Sequence, residues 1–188
     1  MTFMTPLNRN NTFLSPQHVL EQIALAPSMA VADFGSGTGD FALIAAKLVG
    51  ADGQVAAIDV QEPAISSVRS RSRIEGLLNV TPVRANLELP GSSGLADNSQ
   101  DVVLLTNILF QTRKKKEVVH EAHRVLKPGG MLVFIDWRAD AALGPTRGFR
   151  LDKQEITDII SQPGFLLQKE IASGAYHFGM TFVKQTKS

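Results

Sequence analysis

Apolar positions along this chain alternate between two spacings, and the alternation predicts an ordered series of elements. Val19, Leu20, Ile23 and Ala24 recur at helical spacing behind Ser15 and Pro16, a capping hydroxyl followed by a proline preset for a first turn. A helix is therefore expected up to about Ala26, with Pro27 as its stop. Met29 to Phe34 is a short, nearly all-apolar run, the pattern of a strand buried on both faces. A helix from about Asp40 to Val49, a strand at Gln54 to Val60, a helix at Pro63 to Glu75 and a weaker strand at Val80 to Ala85, which contains Pro82, continue the series. Asp101 to Thr106 is the next strand. Thr112 to Leu126 reads as a helix with Val118, Val119, Ala122, Val125 and Leu126 on one face, and Lys127 to Gly130 as a turn. Met131 to Asp136 is a fifth buried strand and Asp152 to Ser161 a helix. Phe165 to Ala172 and Tyr176 to Lys184 are two strands joined by a short turn, the only adjacent pair that reads as antiparallel.

Strands alternating with helices predict an α/β fold, a doubly wound, mostly parallel seven-stranded sheet with an antiparallel last strand. Residues 1–28 are expected to form an N-terminal helical cap and 29–188 the ligand-binding domain, the two making one structural unit. In such sheets ligands sit beyond the carboxyl ends of the strands, near the point where strand order reverses.

The richest chemistry falls at that edge. The first strand runs into Asp33, Phe34, Gly35, Ser36, Gly37, Thr38, Gly39 and Asp40, and glycines at alternate positions let the chain turn tightly and let a ligand lie against bare backbone. The spacing is GxGxG, not the GxGxxG of dinucleotide enzymes, and the flanking carboxylates would repel a pyrophosphate while suiting a zwitterion with a cationic amino group. Asp59 closes the second strand, where an acidic side chain can accept both hydroxyls of a ribose. Asn86 and Leu87 follow the third strand and could meet an adenine.

Composition narrows the picture. Nineteen basic and eighteen acidic residues leave a net charge of +1, so no polyanionic partner is demanded. With no cysteine, disulfides and thiolate sites are excluded. No apolar run is long enough to span a membrane and no signal segment opens the chain, so a cytoplasmic protein without a membrane partner is expected. His120, Glu121 and His123 fall one residue short of the zinc pattern HExxH, and no metal is expected. The basic run Arg113 to Lys116 opens a helix, where an anionic group could compensate it; a solvated face is the simpler reading.

VADFGSGTGD, AIDV, RANLELP, QDVVLLTNILF and HRVLKPGGMLVFIDW, in this order from about Val31, resemble the motifs of the class I S-adenosylmethionine-dependent methyltransferases. Most similar is the small-molecule branch with the ubiquinone and menaquinone biosynthesis enzymes. The resemblance implies S-adenosylmethionine as cofactor, a Rossmann-like fold, and a site made by Asp33, Gly35, Ser36, Gly37, Gly39, Asp59, Val60, Asn86, Leu87 and Thr106. In it the first glycines and Asp33 would surround the methionine part, and Thr106 would lie under its amino group. Asn86 stands where members often carry an aspartate. The NPPY or DPPY motif of base-methylating enzymes is absent, so a small-molecule acceptor is expected and neither DNA nor RNA. A homodimer is left open.

If the last two strands form a hairpin, their turn at Ser173 to Ala175 brings Tyr176 and His177 to the same edge, His177 as base or substrate orienter, Tyr176 with Trp137 to stack on an aromatic or cationic acceptor, and Asp136, Trp137 and Arg138 as lining of the acceptor pocket. Asn10, Asn11 and Phe13 on one side, and Ala139 to Arg150 on the other, are expected as covers. Two rival readings remain: a nicotinamide-dependent oxidoreductase, and a module that binds the cofactor without turnover.

Overall fold

The computed structural model describes residues 13–146 and 149–186. Its elements are α1 (Pro16–Gln22), β1 (Ala30–Phe34), α2 (Asp40–Val49), β2 (Gln54–Asp59), α3 (Glu62–Ile74), β3 (Val80–Arg84), β4 (Gln100–Thr106), a 3-10 turn at Leu109–Gln111, α4 (Lys115–Val125), β5 (Leu126–Trp137), α5 (Lys153–Ser161), β6 (Phe165–Ile171) and β7 (His177–Lys184). The seven strands form one sheet in the order β3-β2-β1-β4-β5-β7-β6. β1 to β5 pair in parallel, and β7 runs antiparallel to both β5 and β6. Strand order therefore reverses between β1 and β4, and a crevice at their carboxyl ends follows.

Each face of the sheet is buried under helices. Phe34, Ile58, Leu105, Phe134, Met180 and Phe182 pack with residues of α4 and α5. Val31, Val55, Ala57, Leu104, Val133 and Ile135 pack with residues of α1 and α2 and with Val68 of α3. Pro82 is accommodated because β3 is an edge strand with β2 as its neighbour. The Ser15 hydroxyl caps α1 by accepting from His18 N at 3.3 Å, and Asp152 caps α5 by accepting from Gln154 N and Glu155 N.

Three boundaries differ from expectation. α1 ends at Gln22 rather than Ala26: the Gln22 carbonyl is taken by Lys169 Nζ at 3.0 Å, and Ala24 turns to φ 52°. α4 starts at Lys115, since Thr112 leaves the 3-10 turn extended and its Oγ1 accepts from Lys114 N at 2.9 Å. The Lys127 to Gly130 stretch is part of β5 and not a free turn, because Leu126 already pairs with Gln100 and the register shifts before Met131 joins Val102.

Candidate functional site

The turn after β1 is held from both sides. Gly35 N and Ser36 N donate to Ile58 O at 2.8 and 2.9 Å, Gly37 N donates to Asp59 Oδ2 at 3.0 Å, and Arg71 spans Thr38 O (2.8 Å) and Asp40 Oδ1 (2.6 Å). Gly35, Gly37 and Gly39 take φ of 75°, 52° and 92°, the left-handed region that side chains resist. Their tasks differ. A Cβ on Gly37 would meet nothing within 4 Å, so this backbone is bare toward solvent space. A Cβ on Gly35 would lie 2.7 Å from Ile108 Cδ1, and one on Gly39 3.0 Å from Val68 Cγ2, so these two glycines admit neighbours of the fold.

A cleft of about 300 Å3 opens here, lined among others by Gly35, Gly37, Asp59, Val60, Asn86 and Leu87. Larger hollows of about 560 and 650 Å3 lie at the opposite edge, against the starts of β2 and β3 and the end of β7, away from the switch point. Asp59 Oδ1 accepts from Gln61 N at 2.9 Å, which with the Gly37 bond occupies one acceptor position on each carboxylate oxygen and leaves others for a pair of hydroxyls. Val60 is 53% exposed, and Leu87 and Ile108 add apolar surface, a setting for a flat heterocycle. Asn86 Oδ1 turns back to accept from Glu88 N at 3.0 Å, and keeps a second lone pair.

Asp33, Ser36, Gly39 and Thr106 do not line this cleft. Asp33 is fully buried beside the turn, and neither of its oxygens reaches a full hydrogen bond. Burial pushes its carboxyl up to about 7, against the weaker pull of the Ala42 N–H, and the charges of Asp59 and Asp40 push the same way. The Ser36 hydroxyl is also buried without a partner. Thr106 ends β4, and Asn107 then takes φ 54° and redirects the chain, so that Ile108, Gln111 and Thr112 reach the cleft instead. These three, with Gln61, Glu88 and Val118, are lining residues that the motifs did not single out. Thr112 Oγ1 donates to Glu88 Oε1 at 2.5 Å and ties the rim together. Lys115 of the basic run donates to Thr112 O at 2.9 Å just outside it.

His177 begins β7 opposite Trp137, so the β6–β7 turn does lie at the carboxyl edge, but at the β5 side and not in the cleft. Its ring is buried with both nitrogens unpartnered and packs against Trp137, the ring centroids 4.1 Å apart and the planes tilted by 38°. Tyr176 meets Phe13 at 5.8 Å, and Gly174 lies under the Phe13 backbone, so the segment before α1 crosses this turn. Asn10 and Asn11 lie outside the described residues. Asp136, fully buried, accepts from Phe110 N and Trp137 N and anchors the 3-10 turn; burial pushes its carboxyl up to about 7 despite these donors. His120 and His123 diverge, one to Lys116 O at 2.6 Å, the other edge-on to Phe165 at 5.2 Å. Among the described residues no group of three or more His, Asp or Glu side chains is placed to hold a metal, and no helix is long and apolar enough to cross a membrane.

A family model described as a methyltransferase domain matches residues 25–168. A ubiquinone/menaquinone biosynthesis C-methyltransferase of Shewanella frigidimarina is 34% identical over 123 residues, 64% of this chain and 47% of that protein. An arsenite methyltransferase of Aquipseudomonas alcaligenes is 36% identical over 124 residues, 64% of this chain and 36% of that protein. The chain thus spans less than half the length of these curated relatives. The crystal structure of a SAM dependent methyltransferase from Aquifex aeolicus matches with a TM-score of 0.82 and 28% identity, covering 92% of this chain and 90% of that one.

Proposed function

Because the chain belongs to the methyltransferase-domain family, we propose that it moves the methyl group of S-adenosylmethionine to a small organic acceptor, leaving S-adenosylhomocysteine. The observation that carries this reading is the pairing of a bare glycine backbone at Gly37 with the Asp59 carboxylate across one cleft. The bound cofactor supplies a methyl already activated on a sulfonium, so the protein's task is to orient the acceptor and exclude water.

In this reading Asp59 takes the ribose hydroxyls on its unused lone pairs. Val60, Leu87 and Ile108 enclose the adenine, and Asn86 meets its edge. The Asp33 carboxylate and the Ser36 hydroxyl, buried and unpartnered, suit a cationic amino group and a carboxylate reaching past Gly35. Asp33, near neutrality on its own, ionises when that cation arrives. Gly39 and Thr106 act by shaping the turn and the strand end.

The test is incubation of the protein with metabolite extracts and methyl-labelled S-adenosylmethionine, read by mass spectrometry, beside calorimetric titrations with S-adenosylhomocysteine and NADH. Label transfer and S-adenosylhomocysteine binding are expected. Binding of NADH alone would favour the oxidoreductase reading, and cofactor binding without transfer in any extract the non-catalytic one.

A further inference from the structure

Three residues outside the recognised motif positions, Ile108, Gln111 and Thr112, make one wall of the cleft. They belong to a single short piece of chain, the 3-10 turn Leu109–Gln111 and the residue on either side of it. So short a turn does not hold its own shape, and Asn107 enters it at φ 54°, a left-handed setting that a non-glycine residue keeps only when its surroundings enforce it. The position of the wall must therefore come from elsewhere in the fold.

Both ends of the piece are tied. Asn107 N donates to Ile135 O at 2.8 Å, and after the turn Thr112 Oγ1 donates to Glu88 Oε1 at 2.5 Å while Thr112 O accepts from Lys115 Nζ at 2.9 Å. Two further bonds close the piece on itself, Gln111 N to Ile108 O at 3.0 Å and Gln111 Nε2 to Asn107 O at 2.7 Å. Between the ends, among the described residues, one side chain from another element bonds the turn. Asp136 Oδ2 accepts from Phe110 N at 3.2 Å, and its Oδ1 accepts from Trp137 N at 2.8 Å. Asp136 is fully buried, so its effect on the cleft runs through the turn. Alternation puts it on the face of Leu132 and Phe134, the side of α4, from which Val118 also reaches the cleft.

On its other side the wall has little slack. A Cβ on Gly35 would lie 2.7 Å from Ile108 Cδ1, so Ile108 already rests on the bare backbone of the glycine turn. We infer that Asp136 is a positioning residue for the ligand cleft: by holding Phe110 N it keeps Ile108, Gln111 and Thr112 at the width the ligand needs, through an acceptor oxygen and not through negative charge. This inference takes the identity of the ligand from the methyl-transfer reading above. Burial pushes the Asp136 carboxyl up to about 7, and its neutral form still offers a carbonyl oxygen to the Phe110 N–H. A wall left loose must be ordered each time the ligand binds, and ordering three lining side chains lowers affinity by about tenfold or more.

The experiment uses the full nitrogen-labelled chain, with S-adenosylhomocysteine binding read by calorimetry and amide exchange read by NMR. Asp136→Leu keeps the size of the side chain and removes both acceptors. It should bind S-adenosylhomocysteine at least about tenfold more weakly, and in the free protein its Phe110 amide should exchange at least about tenfold faster while that of Leu104 in β4 is unchanged. Asp136→Asn, which restores one acceptor oxygen, should return both quantities to within about threefold of the unaltered protein. Glu121→Ala removes another buried anchor of α4 and should change neither. If Asp136→Leu does not fold, the unaltered protein and Asp136→Asn still decide: the Phe110 amide should be protected in both, and more so once S-adenosylhomocysteine is added. Binding by Asp136→Leu within about twofold of the unaltered protein, an Asp136→Asn no better than Asp136→Leu, or a Phe110 amide that exchanges as freely as that of exposed Arg113 overturns the inference. Failure of the unaltered protein to bind S-adenosylhomocysteine removes the reading beneath it, while the exchange rates still test the anchor.

Discussion

Replacing Gly37 by valine separates ligand contact from fold. The residue sits at φ +52°, where an L side chain with branching at Cβ costs about 1–2 kcal/mol, and its N–H bond to Asp59 survives the change. Among the described residues, no atom beyond its two chain neighbours lies within 4 Å of the added Cβ, so the fold they form adds no steric cost. Unfolding should remain cooperative, with a midpoint lower by roughly 2–8 °C for a chain of this size. The branched side chain projects into the cleft that the ligand is held to occupy, and S-adenosylhomocysteine should bind at least about a hundredfold more weakly, a loss of roughly 3 kcal/mol. Gly76→Val is the matched control: φ is +67°, again nothing lies within 4 Å, and the position faces the hollow at the opposite edge. It should lose similar stability and no affinity. Calorimetry and guanidinium denaturation on both variants decide the matter, and a Gly37→Val protein that binds within about threefold of the unaltered one refutes the assignment of this turn.

Asp33 and Asp136 titrate near 7 in the folded chain against 3.8 in the open one. Their stabilisation is therefore full below about pH 4 and declines as pH rises to about 7, by roughly 4 kcal/mol each at most. Asp33→Asn should remove about half of that slope in denaturation curves taken from pH 4 to 8. S-adenosylhomocysteine should bind more tightly at pH 8 than at pH 6 to the unaltered protein, because its cation restores the Asp33 charge, and with little pH dependence to Asp33→Asn. Glu121 behaves oppositely. Burial pushes it up, but Arg124, Ser93 and the backbone donors of Gly91 and Ser93 outweigh that and hold it well below 4.5, so its contribution is present above about pH 4.5 and fades as acid protonates it. Its side chain is 2% exposed, and Glu121→Ala should cost about 3–5 kcal/mol by denaturation at pH 7 while leaving cofactor affinity near unchanged.

The glycine turn was legible because alternate glycines after a buried strand have few uses besides close approach. Which glycine faces the cleft was not legible: Gly39 stands in the same spacing as Gly37, yet it admits Val68 of α3. Asp59 could be placed because it ends a strand of unmistakable pattern. Thr106 ends one too, but the left-handed Asn107 after it sends Ile108 and Thr112 into the cleft, and local pattern holds no sign of that turn. The early end of α1 has the same cause, a tertiary bond from Lys169 outweighing helical spacing. His177 could be assigned to the correct edge from strand order, whereas its contact with Trp137 depends on the register of β5 and β7, which only the folded sheet defines.

A crystal of the protein grown in excess S-adenosylhomocysteine decides whether the turn after β1 holds the ligand. Density is expected along that turn, with the ribose on Asp59, the adenine between Val60 and Leu87, and the amino group against Asp33. An empty cleft at saturating ligand, or density at the opposite edge beside Gly76, would contradict it.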